Sequence, residues 1–240
     1  MKKLIVITGA SSGFGKEMAL HFSAAGHPLL LLARRTAPML ALNLPNTLVK
    51  EVDVTDFKAF EAAIHEAESI YGKVDLLVNN AGLMLLGNIW TQDPAEWQTM
   101  LNVNVQGVLN GTKIVLADMM ARNEGSIINV SSIAGKKTFG NHAAYSATKY
   151  GVHALTETIR EEVSATNVRV MLVAPGAAET ELLQHTTDND IKEGYNEWKE
   201  TMGGISLDPK HVANSVKFMY DLPQEVSIRE LVIAATKQGS

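Results

Sequence analysis

The amino terminus contains the feature that most constrains the fold of this chain. Residues Leu4–Thr8 form a continuous apolar and β-branched run, which is typical of a parallel strand buried on both faces. A turn with the spacing Gly9-x3-Gly13-x-Gly15 follows, and residues 16–26 show a helical pattern that closes with glycine. Glycine lets the backbone approach a pyrophosphate, and a helix start supplies free N–H groups and a positive dipole end. The order predicts a phosphate-binding loop; the alternative is a glycine-rich connection without a chemical role.

Strands and helices continue to alternate along the whole chain. Further strands are predicted at 29–33, 47–52, 74–78, 126–130, 168–174 and 230–234, and helices at about 57–71, from Asp93-Pro94, and at 105–122, 143–165 and 209–220. No repeat or composition break divides the chain. We therefore predict a single α/β domain over residues 1–240, a doubly wound parallel seven-stranded sheet with helices on both faces. Residues 177–205 are polar and less regular, and we interpret them as a substrate lid.

Composition and charge exclude several classes of protein. The chain has 240 residues, 46% hydrophobic and 20% charged, as in a globular protein with a sizeable core. The absence of cysteine excludes disulfides, cysteine-ligated zinc and cysteine nucleophiles, and fits a reducing cytoplasm. The apolar run at the amino terminus is too short for a signal peptide, and no stretch approaches the ~18 residues that span a bilayer. With a net charge of −5 and no basic tract, we expect a cytoplasmic protein without membrane, nucleic-acid or metal partners.

Two arginines follow the second predicted strand, in the run Ala33-Arg34-Arg35. Dinucleotide folds that bind NAD usually place an acid near this point, where it takes the ribose 2′-hydroxyl. No acid stands here, and two guanidinium groups suit a 2′-phosphate instead. The pattern favours NADP as the cofactor; the alternative is a pair of solvated surface arginines.

Tyr145 and Lys149 are four residues apart in a predicted helix, which places both side chains on one face. A neighbouring cation favours the phenolate and lowers the tyrosine pKa from its usual value of about 10. Such a tyrosine can pass a proton to or from a carbonyl oxygen near neutral pH. Taken alone, the pair also fits an ordinary amphipathic helix with a half-buried tyrosine and a lysine that reaches solvent.

Four signatures in a fixed order identify a family that the chain resembles. They are Thr8-Gly9-x3-Gly13-x-Gly15, Asn79-Asn80-Ala81-Gly82, Ser132 with Tyr145-x3-Lys149, and Pro175-Gly176. Over essentially its whole length the chain resembles the short-chain dehydrogenase/reductases, which are Rossmann-fold oxidoreductases. Residues 226–233 are similar to an NADP-preferring subgroup that includes 3-hydroxy acid and serine-type dehydrogenases. The resemblance implies NADP(H)-dependent interconversion of a carbonyl compound and a secondary alcohol or hydroxy acid.

The resemblance also implies four catalytic residues. Ser132, thirteen residues before the tyrosine, and Tyr145 would donate hydrogen bonds to the carbonyl oxygen, and Tyr145 would act as the general acid or base. Lys149 would lower the tyrosine pKa and bind the nicotinamide ribose. Asn104 would hold a water molecule that links Lys149 to solvent; it is chosen over Asn102 because Trp97-x6-Asn104-x2-Gly107 matches the family pattern. Ser131 is interpreted as structural.

Cofactor contacts come from the same resemblance. Asp53 and Val54 would contact the adenine and residues 80–82 the adenosine ribose. Pro175, Gly176, Ala178 and Thr180 would contact the nicotinamide, although Ala178 replaces the usual valine. The predicted cofactor-binding residues are Gly9, Ser11, Ser12, Gly13, Phe14, Gly15, Arg34, Arg35, Asp53, Val54, Asn80, Ala81, Gly82, Tyr145, Lys149, Pro175, Gly176, Ala178 and Thr180.

The lid gives one indication about the substrate. Residues 177–205 contain seven acidic residues, two lysines and no arginine, so they offer no support for a carboxylate substrate. Lys136 and Lys137 remain available to an anion. Candidate wall residues are apolar and suggest a neutral ketone or aldehyde; they are Met84, Leu85, Leu86, Phe139, Leu183, Tyr195, Trp198 and Met202.

Two other functions fit the same fold. A non-catalytic NADP-sensing protein typically loses catalytic residues, whereas all four candidates are present here. A sugar-nucleotide epimerase of the extended branch needs a longer carboxy-terminal domain and a different glycine spacing. The family resemblance further implies a homodimer or homotetramer that forms through two long central helices.

Overall fold

A parallel sheet of seven strands runs through the middle of the protein. The computed structural model describes residues 2–202, 204 and 206–239. Within them the sheet order is β3-β2-β1-β4-β5-β6-β7, and all neighbouring strands are parallel. The strands are β1 (Leu4–Thr8), β2 (Leu29–Ala33), β3 (Thr47–Glu51), β4 (Val74–Asn79), β5 (Ser126–Val130), β6 (Arg169–Pro175) and β7 (Glu230–Ile233). The predicted doubly wound α/β fold is confirmed.

Helices cover both faces of this sheet. They are α1 (Gly13–Ala24), α2 (Ala37–Leu40), α3 (Phe57–Tyr71), α4 (Pro94–Leu101), α5 (Gly107–Arg122), α6 (Ala143–Glu162), α7 (Asn189–Thr201) and α8 (Pro209–Asp221). A π-helical turn (Asn102–Gln106) joins α4 to α5, and two 3-10 segments span Ile133–Gly135 and Glu181–His185. None of the described helices has both the length and the apolar character needed to cross a membrane.

Strand β1 shows why the central strands read as continuous apolar runs. Ile5 and Ile7 point into the core beneath α1 and α8, whereas Leu4 and Val6 point into the core beneath α3, α5 and α6. All of these side chains are fully buried. Successive side chains of a strand point to opposite faces, so a strand covered on both faces must be apolar at every position.

Short polar side chains set the helix starts. Asp56 accepts a hydrogen bond from Ala59 N, and Asp93 from Ala95 N, which satisfies free N–H groups of α3 and α4. Helix α1 begins at Gly13, three residues earlier than predicted. Its first turn therefore contains two of the three glycines of the predicted loop, Gly13 and Gly15. The phosphate-binding loop therefore leads directly into the free N–H groups of a helix.

The predicted irregular lid contains more structure than the sequence indicated. Besides the 3-10 segment Glu181–His185, it forms the 13-residue helix α7, capped by the Asp188 carboxylate on Ile191 N. The expectation of an irregular segment was wrong for these residues. Positions 203 and 205 of the predicted lid lie outside the described residues.

The order of the strands determines where a site forms. The chain proceeds outward from β1 to β2 and β3 on one side, then returns to place β4, β5, β6 and β7 on the other. Loops that leave the carboxyl ends of β1 and β4 therefore diverge and leave a crevice between them. The predicted signatures follow β1, β4, β5 and β6, so they meet at this edge.

Candidate active site

One large cavity of about 1450 Å³ lies along the carboxyl edge of the sheet. It extends from the arginines after β2, past the glycine-rich loop, to Tyr145 and the lid helix α7. Every predicted cofactor or catalytic residue lines it except Gly15 and Asn104. The structure therefore brings together residues that are up to about 170 positions apart in the sequence.

Gly15 does not line the cavity but packs against the inner side of the phosphate-binding loop. A Cβ atom at this position would lie 2.3 Å from Gly9 O and 2.7 Å from Asn80 Nδ2, so only glycine fits. Gly9 itself has a φ of +65°, in the left-handed region that glycine adopts readily. These glycines let the loop after β1 pack closely against the loop after β4.

Thr8 and Asn80 connect those two loops by hydrogen bonds. The Thr8 hydroxyl accepts from Asn80 N at 2.9 Å and from Ala81 N at 3.0 Å, while Asn80 Nδ2 donates to Thr8 O at 2.9 Å. The Asn80 side chain is thus occupied with the protein backbone. The part of residues 80–82 that remains free for a cofactor is the backbone surface on the cavity wall.

The two arginines after β2 differ in their surroundings. Arg35 forms an ion pair with Glu181 of the lid, with Nη2 and Oε2 2.6 Å apart. Arg34 is exposed and has no hydrogen-bond or ion-pair partner within the described part of the chain. At the neighbouring strand end, Asp53 Oδ1 accepts from Thr55 N and from the Thr55 hydroxyl, which fixes the Asp53 side chain beside the adenine end of the cavity.

Tyr145 and Lys149 lie on one face of α6, as the spacing predicts, and both are buried. Lys149 Nζ is 5.7 Å from the centre of the Tyr145 ring and donates a hydrogen bond to Val130 O at 3.1 Å. Burial lowers the pKa of Lys149 to about 8. Burial also raises the pKa of Tyr145 above its usual value, while the neighbouring Ser132 side chain acts in the opposite direction.

The pKa of Tyr145 corrects one expectation. The sequence argument predicted that Lys149 lowers this pKa, but loss of solvent around the phenol is the larger effect in the structure. Near neutral pH the tyrosine therefore keeps its proton. In that state it is a hydrogen-bond and proton donor.

Ser132 is placed by the end of β5. It is the first residue after the buried Ser131, and its hydroxyl caps the 3-10 segment by accepting from Ala134 N at 3.1 Å. Ser131 donates instead to Lys149 O at 3.3 Å, so it connects β5 to α6. Both serines line the cavity, with Ser132 beside Tyr145 and Ser131 buried and held by its hydrogen bond to α6.

Asn104 has a different environment from the one predicted. It lies in the π-helical turn, is 1% exposed, and uses its amide on Leu83 N, Leu83 O and the Thr148 hydroxyl, at 2.8, 2.9 and 3.0 Å. The side chain does not line the cavity, and its amide makes its hydrogen bonds within the fold. It holds the loop after β4 against α6 and is therefore a positioning residue.

Aromatic side chains form the wall at the lid end of the cavity. Four rings contact one another in a closed cycle, with centres 5.3–6.2 Å apart: Phe139, His142, Tyr195 and Trp198. Two of them come from α7 and two from the segment before α6, so the cycle attaches the lid to the body of the protein. Of the predicted wall residues, Leu85 and Met202 do not line the cavity, and the other six do.

Among the cavity residues that the sequence did not predict as site residues, three make specific contacts that bear on the site. His142 precedes Tyr145 by three positions, a helical spacing that signals a shared face. Its Nδ1 lies 2.6 Å from Gly140 O and burial lowers its pKa, so the ring is neutral near pH 7 with Nδ1 as the donor. Gln238 accepts a hydrogen bond from Ala177 N at 3.0 Å, and Glu181 pairs with Arg35; neither contact has a local sequence signal.

Two lysines after Ser132 have partners of their own. Lys136 forms an ion pair with Glu230 at 2.6 Å. Lys137 lies over the Phe139 ring, with Nζ 5.5 Å from its centre.

Thr180, a predicted cofactor-binding residue, has a partner within the lid. Its hydroxyl accepts a hydrogen bond from Leu182 N at 3.3 Å and so caps the 3-10 segment Glu181–His185.

The cavity fits a pyridine dinucleotide. The turn between β1 and α1 has no room for a Cβ atom at Gly9 or Gly15, and the Ser12 hydroxyl makes no capping hydrogen bond at the start of α1. The first N–H groups of α1 therefore remain available to a pyrophosphate. Arg34, without a partner among the described residues, stands at one end of the cavity, and Tyr145 and Lys149 stand at the other.

Comparisons with known proteins agree with this geometry. Residues 3–191 match the family model described as short chain dehydrogenase. An uncharacterized oxidoreductase of Staphylococcus saprophyticus is 36% identical, with 99% of this chain and 97% of the relative covered. Sulfoacetaldehyde reductase 2 of Chromohalobacter salexigens is 34% identical, with 100% and 96% covered.

The solved structures include a close match in fold. The closed form of serine dehydrogenase complexed with NADP+ superposes with a TM-score of 0.92 at 29% identity, covering 99% of this chain and 96% of that one. The family match extends over most of the chain, and the relatives cover nearly all of it. The chain belongs to the short-chain dehydrogenase family and is an oxidoreductase that acts on CH–OH groups.

Proposed function

We propose that this enzyme reduces a ketone or aldehyde to an alcohol with NADPH, and catalyses the reverse oxidation with NADP+. The observation that carries the proposal is the convergence of Ser132, Tyr145 and Lys149 at one end of a cavity whose other end carries Arg34 and Arg35. A bound nicotinamide supplies or accepts the hydride. The protein side chains must then stabilise and protonate the carbonyl oxygen.

Ser132 and Tyr145 perform that role in the proposal. Both hydroxyls donate to the carbonyl oxygen, where negative charge develops during reduction. Because burial raises the pKa of Tyr145, the phenol is protonated near neutral pH and is ready to deliver its proton. Lys149, 5.7 Å from the ring centre, stabilises the phenolate that remains.

NADP is the proposed cofactor because of the residues at the end of β2. The first side chain beyond that strand is Arg34, which is exposed and without a partner in the described residues. A guanidinium group matches a phosphate by two parallel hydrogen bonds, whereas the ribose 2′-hydroxyl of NAD is usually bound by an acid. The similarity to a serine dehydrogenase solved with NADP+ supports this choice.

A neutral, moderately apolar carbonyl compound is the proposed substrate. The four-ring cycle and the apolar side chains Met84, Leu86 and Leu183 line the part of the cavity near Tyr145. The lid contains no arginine that could bind a carboxylate in a fork. Sulfoacetaldehyde reductase 2 is named for an anionic substrate. Either the relatives differ in the class of substrate that they accept, or the anion is bound by residues outside the lid.

We propose that residues 177–205 form the substrate lid. We also propose that copies of the chain form a homodimer or a homotetramer. The four-ring cycle places α7 over the cavity and supports the lid. Large apolar side chains on the outer faces of α5 and α6 support pairing through these helices; they are Leu109, Met120 and Tyr150.

The decisive experiment assays a panel of neutral ketones, aldehydes and 3-keto acids with NADPH and NADH in parallel. We expect NADPH-dependent turnover of neutral carbonyls, and a fall of ~10²–10⁴ in kcat for Tyr145→Phe. Tyr71→Phe, at the end of α3 and outside the cavity, is the matched control and should keep wild-type turnover. Wild-type turnover by Tyr145→Phe would refute the catalytic assignment, a preference for NADH would refute the cofactor, and a strong preference for keto acids would refute the substrate class.

A further inference from the structure

A carboxylate of the lid lies where an anion of the cofactor is expected to bind. Glu181 Oε2 is 2.6 Å from Arg35 Nη2, and the two residues are 146 positions apart in the sequence. The hydrogen bond from Arg35, with a smaller effect of the nearby Ser12 side chain at the start of α1, holds the pKa of Glu181 below its usual value, so the group is charged near neutral pH.

The surrounding contacts place this ion pair directly against the phosphate-binding loop. A Cβ atom on Gly13 would lie 3.2 Å from Thr180 Cγ2, which shows how closely the lid approaches the first turn of α1. A second cavity of about 450 Å³ is lined by the same loop, by Arg35 and by Glu181. The carboxylate therefore stands between a helix start and a guanidinium group, the two features that bind phosphate in proteins.

The two arginines are consequently not equivalent. Arg34 is free of partners within the described residues, whereas Arg35 already binds an anion that belongs to the protein. Any phosphate that uses Arg35 has to displace Glu181 or bind next to its negative charge. A dinucleotide without the 2′-phosphate places no phosphate on Arg35, and only its pyrophosphate, which NAD(H) and NADP(H) share, approaches Glu181.

We propose that Glu181 is a cofactor-selectivity residue, whose carboxylate competes with the 2′-phosphate of NADP(H) for Arg35 and reduces the preference for NADP(H) over NAD(H). The proposal rests on the proposed NADP dependence, because it concerns the same phosphate site. The same contact joins the lid to the end of β2, so the 2′-phosphate releases the 3-10 segment Glu181–His185 from Arg35 when it binds.

The expected effect is moderate because the ion pair is open to water. The side chains of Arg35 and Glu181 are 58% and 46% exposed, and solvent screens their attraction. Removing the charge of Glu181 should therefore raise the ratio of the NADH Kd to the NADPH Kd by about three- to tenfold, a range typical of couplings between charged groups at a surface. The gain should shrink as ionic strength rises.

The test is an equilibrium titration of cofactor binding to Glu181→Gln, followed by the fluorescence of Trp198 and the other tryptophans. Glu179→Gln is the matched control, since it removes the same charge from the same segment. Glu179 interacts with Ser206 and Lys199 rather than with Arg35. The control should leave the Kd ratio within about twofold of the wild type.

A double-mutant cycle with Arg35→Gln identifies the partner. If competition for Arg35 is the mechanism, Glu181→Gln no longer changes the Kd ratio once Arg35 is replaced. A Kd ratio that falls or stays constant in Glu181→Gln, or that rises equally in Glu179→Gln, would overturn the proposal. Tighter binding of NADH than of NADPH by every variant would instead refute the proposed function, so the two failures are distinguishable.

Discussion

Asn104→Ala tests how the π-helical turn supports the wall of the active site. Asn104 is 1% exposed, and its amide pairs with both backbone groups of Leu83, the residue directly after Asn80-Ala81-Gly82. Alanine would leave the N–H and the C=O of Leu83 without these partners in a buried position. We expect a loss of stability and of the cavity shape near Lys149.

The size of the loss follows from the hydrogen bonds removed. Each backbone group left unpaired in the interior costs about 1–3 kcal/mol. The Thr148 hydroxyl keeps its hydrogen bond to Tyr145 O at 2.7 Å, so it adds little. Water that enters the space left by the amide offsets part of the cost. We therefore expect the free energy of unfolding to fall by about 2–4 kcal/mol, and Tm by about 5–15 °C for a chain of this size.

The assay is urea unfolding at pH 7 without cofactor, followed by circular dichroism. Asn102→Ala is the matched control, because Asn102 lies in the same turn and its side chain accepts only an exposed hydrogen bond, from Gln98 Nε2 at 2.7 Å. The control should change the free energy of unfolding by less than about 0.5 kcal/mol. Equal losses in both variants, or a loss below about 1 kcal/mol in Asn104→Ala, would refute the positioning role of the amide.

Two further perturbations address the loop and the catalytic lysine. Gly15→Ala should weaken NADPH binding at least about tenfold in a fluorescence titration, because its Cβ would lie 2.3 Å from Gly9 O. Gly140→Ala is the control and should bind NADPH normally, because the space around Gly140 is open. Normal binding by both variants would contradict the role of Gly15. Burial lowers the pKa of Lys149 from 10.5 to about 8, so the cost of the buried ammonium is present below pH 8 and is relieved as pH rises toward 10.5. Lys149→Met should therefore gain in stability relative to wild type at pH 7, and this difference should shrink by up to about 3 kcal/mol by pH 10 in urea unfolding; a constant difference would show that Lys149 is not desolvated.

The sequence predicts the sheet closely for a physical reason. All seven strands were placed within one residue at each end, and the central strands β1, β2, β4, β5 and β6 are buried along their whole length, which makes their sequences largely apolar. The same reasoning locates the candidate site residues that follow the buried strands, namely the glycine-rich loop after β1, residues 80–82 after β4, Ser132 after β5 and Gly176 after β6. Spacing along a helix then predicts that Tyr145 and Lys149 share a face, as they do.

The lid was not predictable in the same way. Helix α7 is largely polar, and its two large aromatic residues, Tyr195 and Trp198, gain their partners Phe139 and His142 only in the folded chain. The ion pair between Arg35 and Glu181 likewise joins segments far apart in sequence. Contacts of this kind depend on how two loops meet above the sheet, and no local pattern encodes that meeting.

Burial also changes what the catalytic pair can do. Spacing alone suggested that the lysine cation would lower the tyrosine pKa, but desolvation acts on both groups and moves their pKa values in opposite directions. In water a lysine loses its proton at slightly higher pH than a tyrosine, whereas here Lys149 loses its proton first. In the proposed mechanism the proton is therefore held on Tyr145, beside Ser132, where reduction of a carbonyl requires it. The proposed reverse reaction needs the phenolate instead, so we expect oxidation of an alcohol to become faster as pH rises, and a rate of oxidation that is independent of pH would contradict this role of Tyr145.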